Sequence, residues 1–459
     1  MDPGRENSVL ALGIFLHIFD TLTSVSPDLQ LQPGLAESWR MVSPTSWEFK
    51  LRPNVRWHNG EPLVAEDVKV TIDRIRDPEL KSPVSAFITA IQSVEAPDDR
   101  TVIVHTNGPY APLDRRLTVI PIVPGRLIQR IGDEAFQKYP VGSGAYRYVE
   151  MVRDSHLKLE SNAEYWRGAP PVRNLTYRFI PDENTRVATL FTGEVDIVNN
   201  LPPDRIPDVQ SRPNLRVESV TGLITQYISL NTNVEPLNDV RVRRALNHAV
   251  NVDAIIRDLL RGQAKRSSQP LQPGVLGYDP SIAPYEYDPA RARALLAEAG
   301  YPNGFGVVMD TYEGRWVKDK EVMQAIAADL QRVGVRVEQR ASTWTNVFGR
   351  SLRTELQGLF MTAVLNPLVD PDHPLPLAFS TRNVQYYIRP EIESRINHSA
   401  TILQPEERAT EIQRLVKDLV ADAPWIFLYD VNDVFGVNQR IKWTPRGDNR
   451  ILFTEATIN

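Results

Sequence analysis

No cysteine occurs among the 459 residues. Structural disulfides, thiolate catalysis and cysteine-ligated metal are therefore excluded. Long apolar runs are missing too, since none approaches the roughly 18 to 20 residues of a membrane span. The nearest, Val9 to Phe19, is interrupted by His17. Asp2, Arg5 and Glu6 precede it and no small-residue cleavage site follows, so it reads as a buried strand or helix rather than a signal-peptide core. The seven histidines are scattered, and none forms H-E-x-x-H or a close pair. His373, directly after Asp372, is the one with a conceivable chelating neighbour, and no metal is expected. The formal charge of -5 is small for this length, and no basic run alternates with aromatics, so no nucleic acid partner is expected. G-x-S-x-G, phosphate-loop and dinucleotide motifs are absent, and Gly142-Ser143-Gly144 lacks the third glycine. No cofactor is implied.

What is present describes a globular α/β chain. The hydrophobic share of 42% with 24% charged residues suits a folded protein, and the length calls for two or three lobes. Trp47, Phe49 and Leu51 alternate with polar residues and lead on to Asn59-Gly60, which reads as a hairpin. Val64, Val68, Ile72 and Ile75 then place one apolar stripe on a helix that opens with Glu66 and Asp67. Val94 to Ala96 and Thr101 to Val104 read as strands around an acidic turn. Asp182 or Asn184, Asn251 and Asp288-Pro289 start helices that stop at Gly193, Gly262 and Gly300. Further helices are expected over about 319–334 and 405–421, and strands at 175–179, 227–231, 335–337 and 426–429. No repeat of solenoid or propeller period occurs.

Several strings stand in a meaningful order. Gly34-Leu35-Ala36-Glu37-Ser38-Trp39 is followed by Asn54-Val55-Arg56-Trp57-His58-Asn59-Gly60 and Glu66-Asp67-Val68. Pro140 to Tyr146, Asn162 to Trp166, Tyr227 to Thr232, Asp239 to Leu246, Tyr278-Asp279-Pro280, Tyr287 to Ala292 and Ala299 to Pro302 come later. Together they resemble extracellular solute-binding protein family 5, the peptide, nickel and opine-type binding proteins of ABC importers. The resemblance implies a two-lobed periplasmic-binding-protein-like fold of type II with an additional third domain. Its implied partition is 1–32, 141–222 and 441–459 in lobe I, 33–140 in the extra domain and 223–440 in lobe II. It also implies a monomer, periplasmic or at the cell surface, with its export segment upstream of this chain. Such a receptor takes a small peptide-like, opine-like or oligosaccharide solute between its lobes and delivers it to a membrane permease. The competing reading, a hydrolase acting on a carbohydrate or peptide in an interlobe cleft, has no motif behind it.

A cleft of this kind needs aromatic walls and a few orienting polar groups. Arg315, beside Tyr312 and Trp316, is the candidate for a ligand carboxylate, because its planar fork suits two oxygens. Its duller reading is a solvated turn arginine with a core tryptophan. Asn366, Asp370 and Asp372 stand where the family often has D-P-D, preceded in its dipeptide binders by an acid that pairs the ligand's ammonium. Here 364–369 holds no acid, which tilts the expectation away from plain dipeptides, and turn formation is the stronger reading of the two aspartates. Asn383, Tyr386, Tyr227 and Ser143 complete the candidates, each with a structural alternative. Gly142 and Gly144 are expected to serve the backbone. Trp39, Trp47 and Trp57 are expected to pack the extra domain, and Trp344 and Trp425 to line a cavity or the core.

Overall fold

The computed structural model describes residues 1–381 and 386–459. The apolar run near the start is a helix, α1 (Val9–Ile18), with the Ser8 hydroxyl accepting from the Ala11 N–H at 3.3 Å. A short antiparallel hairpin follows, β1 (Thr23–Val25) and β2 (Leu31–Pro33).

Next come β3 (Ala36–Ser43), β4 (Ser46–Leu51), β5 (Ile91–Asp98) and β6 (Thr101–Thr106). They form an antiparallel sheet in the order β3-β4-β6-β5. Trp47, Phe49 and Leu51 are buried in one core with Val68, Ile72 and Ile75 of α2 (Ala65–Arg76). The hairpin expected to end at Asn59-Gly60 is different. Trp47 to Leu51 pair with β3 and β6, and the Asn59-Gly60 turn closes a single bridge between Arg56 and Pro62. Pro53 explains the break, because it supplies no N–H to continue the ladder. Asp67 then ties the loop to the helix, accepting from Val64 N at 3.2 Å and Trp57 Nε1 at 3.1 Å.

A second antiparallel sheet holds β7 (Tyr146–Val152), β8 (His156–Ser161) and β9 (Asn174–Arg178). The largest sheet holds β10 (Ile197–Val198), β11 (Leu215–Leu230), β12 (Ala264–Arg266), β13 (Gly306–Thr311), β14 (Arg336–Ala341), β15 (Leu359–Leu365) and β16 (Trp425–Asn438). Its order is β10-β16-β11-β15-β13-β14, with β12 on β16. β13 runs parallel to both β14 and β15.

β11 and β16 carry the chain between two cores. Leu215 to Thr221 pair with Asn432 to Asn438, beside a core of Leu190, Val198, Leu215 and Val434. Thr225 to Ser229 pair with Trp425 to Asp430, in a core shared with Met309, Met361 and Ile426. Between these halves the β11–β16 ladder is interrupted at residues 222–224. Two α/β bodies joined by crossing strands, with a further sheet-and-helix unit, make the architecture that the resemblance implies.

The tail returns to the start of the chain. His17, fully buried, has Nδ1 2.9 Å from the Gly13 carbonyl, and its Nε2 accepts from the Phe453 N–H at 3.0 Å. That pair of partners selects the neutral tautomer with the proton on Nδ1. Burial lowers its pKa from 6.5 to about 4. Because the folded value is the lower one, stability falls as pH drops from about 6.5 toward about 4. The melting-temperature gap between wild type and His17→Gln should therefore be widest at pH 7 and narrow toward pH 4. A gap independent of pH would contradict this assignment.

Candidate functional site

Ligands of open α/β sheets sit outside the carboxyl ends of the parallel strands. Here those ends are followed by Tyr312 to Trp316 after β13, Ser342 to Trp344 after β14, and Asn366 to His373 after β15. The loop between β1 and β2 and the C-terminal tail pack against neighbouring segments of the chain. Leu29 shares a core with Leu271 and Val275. Arg446 donates to the Val25 carbonyl at 2.6 Å, and Arg450 to the Pro367 carbonyl at 3.0 Å.

The Tyr312 to Trp316 turn is built by one carboxylate. Asp319, at the start of the Asp319–Arg332 helix, accepts from the backbone N–H groups of Gly314, Arg315 and Trp316 at 3.2, 2.8 and 2.9 Å. This holds the Arg315 guanidinium 4.2 Å from the Trp316 ring and 5.5 Å from the Trp344 ring. Arg315 is exposed, and among the described residues no carboxylate lies within ion-pair distance of it. Tyr312 is buried beneath, donating to the Met361 carbonyl at 2.8 Å and meeting Trp344 edge-on at 4.9 Å. Trp316 Nε1 is buried without a partner. A charged fork on an indole platform can grip a planar anion without first breaking a salt bridge.

The other candidates are engaged elsewhere. Tyr386 is buried against Phe360, and its hydroxyl accepts from Leu356 N at 3.1 Å. Tyr227 stacks on Trp425 with ring centroids 3.6 Å apart. Ser143 donates to Asp20, 2.9 Å away, which also takes Tyr165 O–H and Trp166 Nε1. Asp370 is gripped by Arg408 through two bonds of 2.6 and 2.8 Å and caps the turn at Asp372 N. Asp372 takes Arg116 Nε at 2.9 Å and the Tyr110 hydroxyl, while His373 stacks on Phe87. These contacts pin the segment after β15 to the unit built on β3–β6. Asn366 is buried at the crevice edge, with Oδ1 accepting from Asp370 N and Nδ2 lacking a partner. Asn383 lies outside the described residues. Among the described residues, no group of three or more His, Asp or Glu side chains is placed to hold a metal.

A polar cluster at the crossing of β11 and β16 was not among the expected residues. Thr225 donates to Asp430 at 2.6 Å, and Gln272 Nε2 donates to Thr225 at 2.8 Å. Burial pushes Asp430 up to about 7. Nearby, Asn449 accepts from Leu223 N at 2.9 Å and donates to Asp433 at 2.7 Å. Burial raises Asp433 to about 6. Aspartates inside a strand, where β propensity disfavours them, were the available signal.

Residues 30–386 match the family model described as bacterial extracellular solute-binding proteins, family 5 Middle. The chain belongs to this family. As a family 5 protein it is an extracytoplasmic solute-binding receptor of an ABC importer, with the type II periplasmic-binding-protein fold. The glutathione-binding protein GsiB of Pectobacterium atrosepticum is 32% identical over 451 residues, covering 93% of this chain and 86% of that protein. Heme-binding protein A of Haemophilus influenzae is 28% identical over 429 residues, covering 86% of this chain and 78% of that protein. Among solved structures, HbpA2 from Haemophilus parasuis superposes with a TM-score of 0.87 at 25% identity, over 100% of this chain and 97% of that one. DppA from Helicobacter pylori, an ABC transporter-associated periplasmic binding protein in complex with peptide STSA, gives 0.83 at 26% identity, over 100% and 95%. The family 5 proteins that this chain resembles are binding proteins.

Proposed function

We propose that this receptor captures a peptide-like solute carrying a free carboxylate, which Arg315 holds against Trp316 and Trp344. The observation that carries this reading is an exposed guanidinium, preorganised by two indoles and one turn, with no carboxylate among the described residues within ion-pair distance of it. Glutathione for the GsiB relative and a tetrapeptide for the DppA structure are solutes of this chemistry. An oligosaccharide gives the guanidinium nothing to neutralise. Tyr312 backs the wall, and Asn366 offers an amide to a polar group of the solute.

Residues 1–32, 141–222 and 441–459 make one lobe, 223–440 most of the other, and 33–140 the additional domain. The 432–438 half of β16 goes with the first lobe, since it pairs with 215–221. The protein acts as a monomer, returns its solute unchanged, and presents the closed form to its permease outside the cytoplasm; nucleic acid plays no part. Calorimetric titration with glutathione and with STSA tests this. Arg315→Ala should weaken binding by about 2 kcal/mol, roughly thirty-fold in Kd. An unchanged Kd removes Arg315 from the site, and turnover of either peptide overturns the receptor reading.

A further inference from the structure

Among the described residues, Asp430 is a buried acid at the strand crossing that has no cation as partner. It is 4% exposed. Among the described residues its carboxylate has one side-chain donor, the Thr225 hydroxyl at 2.6 Å, and no cation within ion-pair distance. Lys265 is its cross-strand neighbour on β12 but is exposed, and acts on it only through its charge. Tyr278, half-buried, also lies within the reach of its charge. Asp433, the other raised carboxylate of the crossing, differs because Asn449 supplies it with an amide donor.

The hydrogen-bond chain fixes what the pocket offers. The single proton of the Thr225 hydroxyl is committed to Asp430. Gln272 must then present its amide N–H to Thr225, and this leaves Gln272 Oε1 turned away as a buried acceptor with no partner. An acid lacking a counter-charge beside a free carbonyl oxygen is a surplus of acceptors. Such a surplus is costly until the acid takes up a proton or something brings donors and positive charge together. An ammonium group brings three donors and one charge.

The position suits the crevice. Thr225 pairs with Val364 and Ile224 with Leu365, so Asp430 stands at the same edge of the sheet as Asn366. We propose that Asp430, oriented by Thr225 and Gln272, anchors a primary ammonium group of the solute. This rests on the peptide-like reading above and adds the amine to the carboxylate.

The test uses matched probes with the intact chain: glutathione and its N-acetyl derivative, STSA and its N-acetyl derivative, and the carboxamide forms of both. Wild type should prefer each free amine over its acetylated form by about tenfold or more. Asp430→Asn should abolish that preference, and Thr225→Val should reduce it in part. Circular dichroism confirms that each variant is folded. Equal affinity of wild type for amine and acetyl forms, or a preference that survives in Asp430→Asn, overturns the anchor. Amine preference without carboxylate preference leaves the anchor standing and overturns the Arg315 reading. Binding of no probe overturns both.

Discussion

Arg408→Ala should lower unfolding free energy by about 3 to 5 kcal/mol, the range for removing one partner of a buried ion pair. Arg408 and Asp370 are 5% and 4% exposed at their side chains, and the guanidinium meets both carboxylate oxygens. Its Nε also donates to the Ser399 carbonyl at 3.1 Å. Truncation strands the Asp370 charge where water does not reach it, and frees the turn that leads to Asp372. The loss should therefore exceed that of breaking an exposed pair such as Arg353 and Glu355, which water screens. A double replacement, Arg408→Met with Asp370→Leu, should recover much of the stability, because it removes the stranded charge. Urea denaturation followed by tryptophan emission reads all three. A shift for Arg408→Ala below about 1 kcal/mol would mean that water solvates Asp370 after all.

Gly142→Ala should cost about 3 kcal/mol through forced overpacking. A methyl group there would lie 1.8 Å from the Ile18 carbonyl oxygen. That oxygen accepts from Gly144 N at 2.8 Å, and the Gly142 carbonyl accepts from His58 N at 2.7 Å. The backbone cannot retreat without giving up both bonds. Gly108→Ala is the control, since its added methyl meets nothing within 4 Å. Differential scanning calorimetry should show a large drop for the first and almost none for the second. Equal drops would refute close approach as the reason for glycine at 142.

The same contrast between local and distant causes decides what could be read from the sequence. Helix ends were readable because capping is local. Asp182 bonds Thr185 N and Asp288 bonds Arg291 N, three residues on in each case. The alternation of Trp47, Phe49 and Leu51 was readable because one face of that strand is buried. The crossing strands were recognised only in part. Expected over 227–231 and 426–429, they extend over Leu215–Leu230 and Trp425–Asn438. The added lengths carry Glu218, Asp430, Asn432 and Asp433, poor strand formers that stay in register because each strand supplies the other's ladder.

The crevice divides in the same way. Arg315 and Trp316 became candidates because similar proteins have an arginine just before the long helix, and binding measurements decide their role. Tyr227, Tyr386, Asp370 and Ser143 have suitable chemistry, but residue type does not reveal which way a side chain points. Asp430 could not be picked out, since Thr225, the partner that orients it, lies 205 positions away.

The gap at 222–224 also bears on how tightly any guest is kept. Gly222 leaves no room for a methyl group, because Asn449 Nδ2 would lie 2.2 Å from it. Asn449 is seated against this gap, accepting from Leu223 N and donating to Asp433. Replacing Asn449 is expected to alter how the two strands pass this gap, and apparent affinity scales with the fraction of receptor ready to receive. A titration of Asn449→Ala with glutathione should then show a changed Kd.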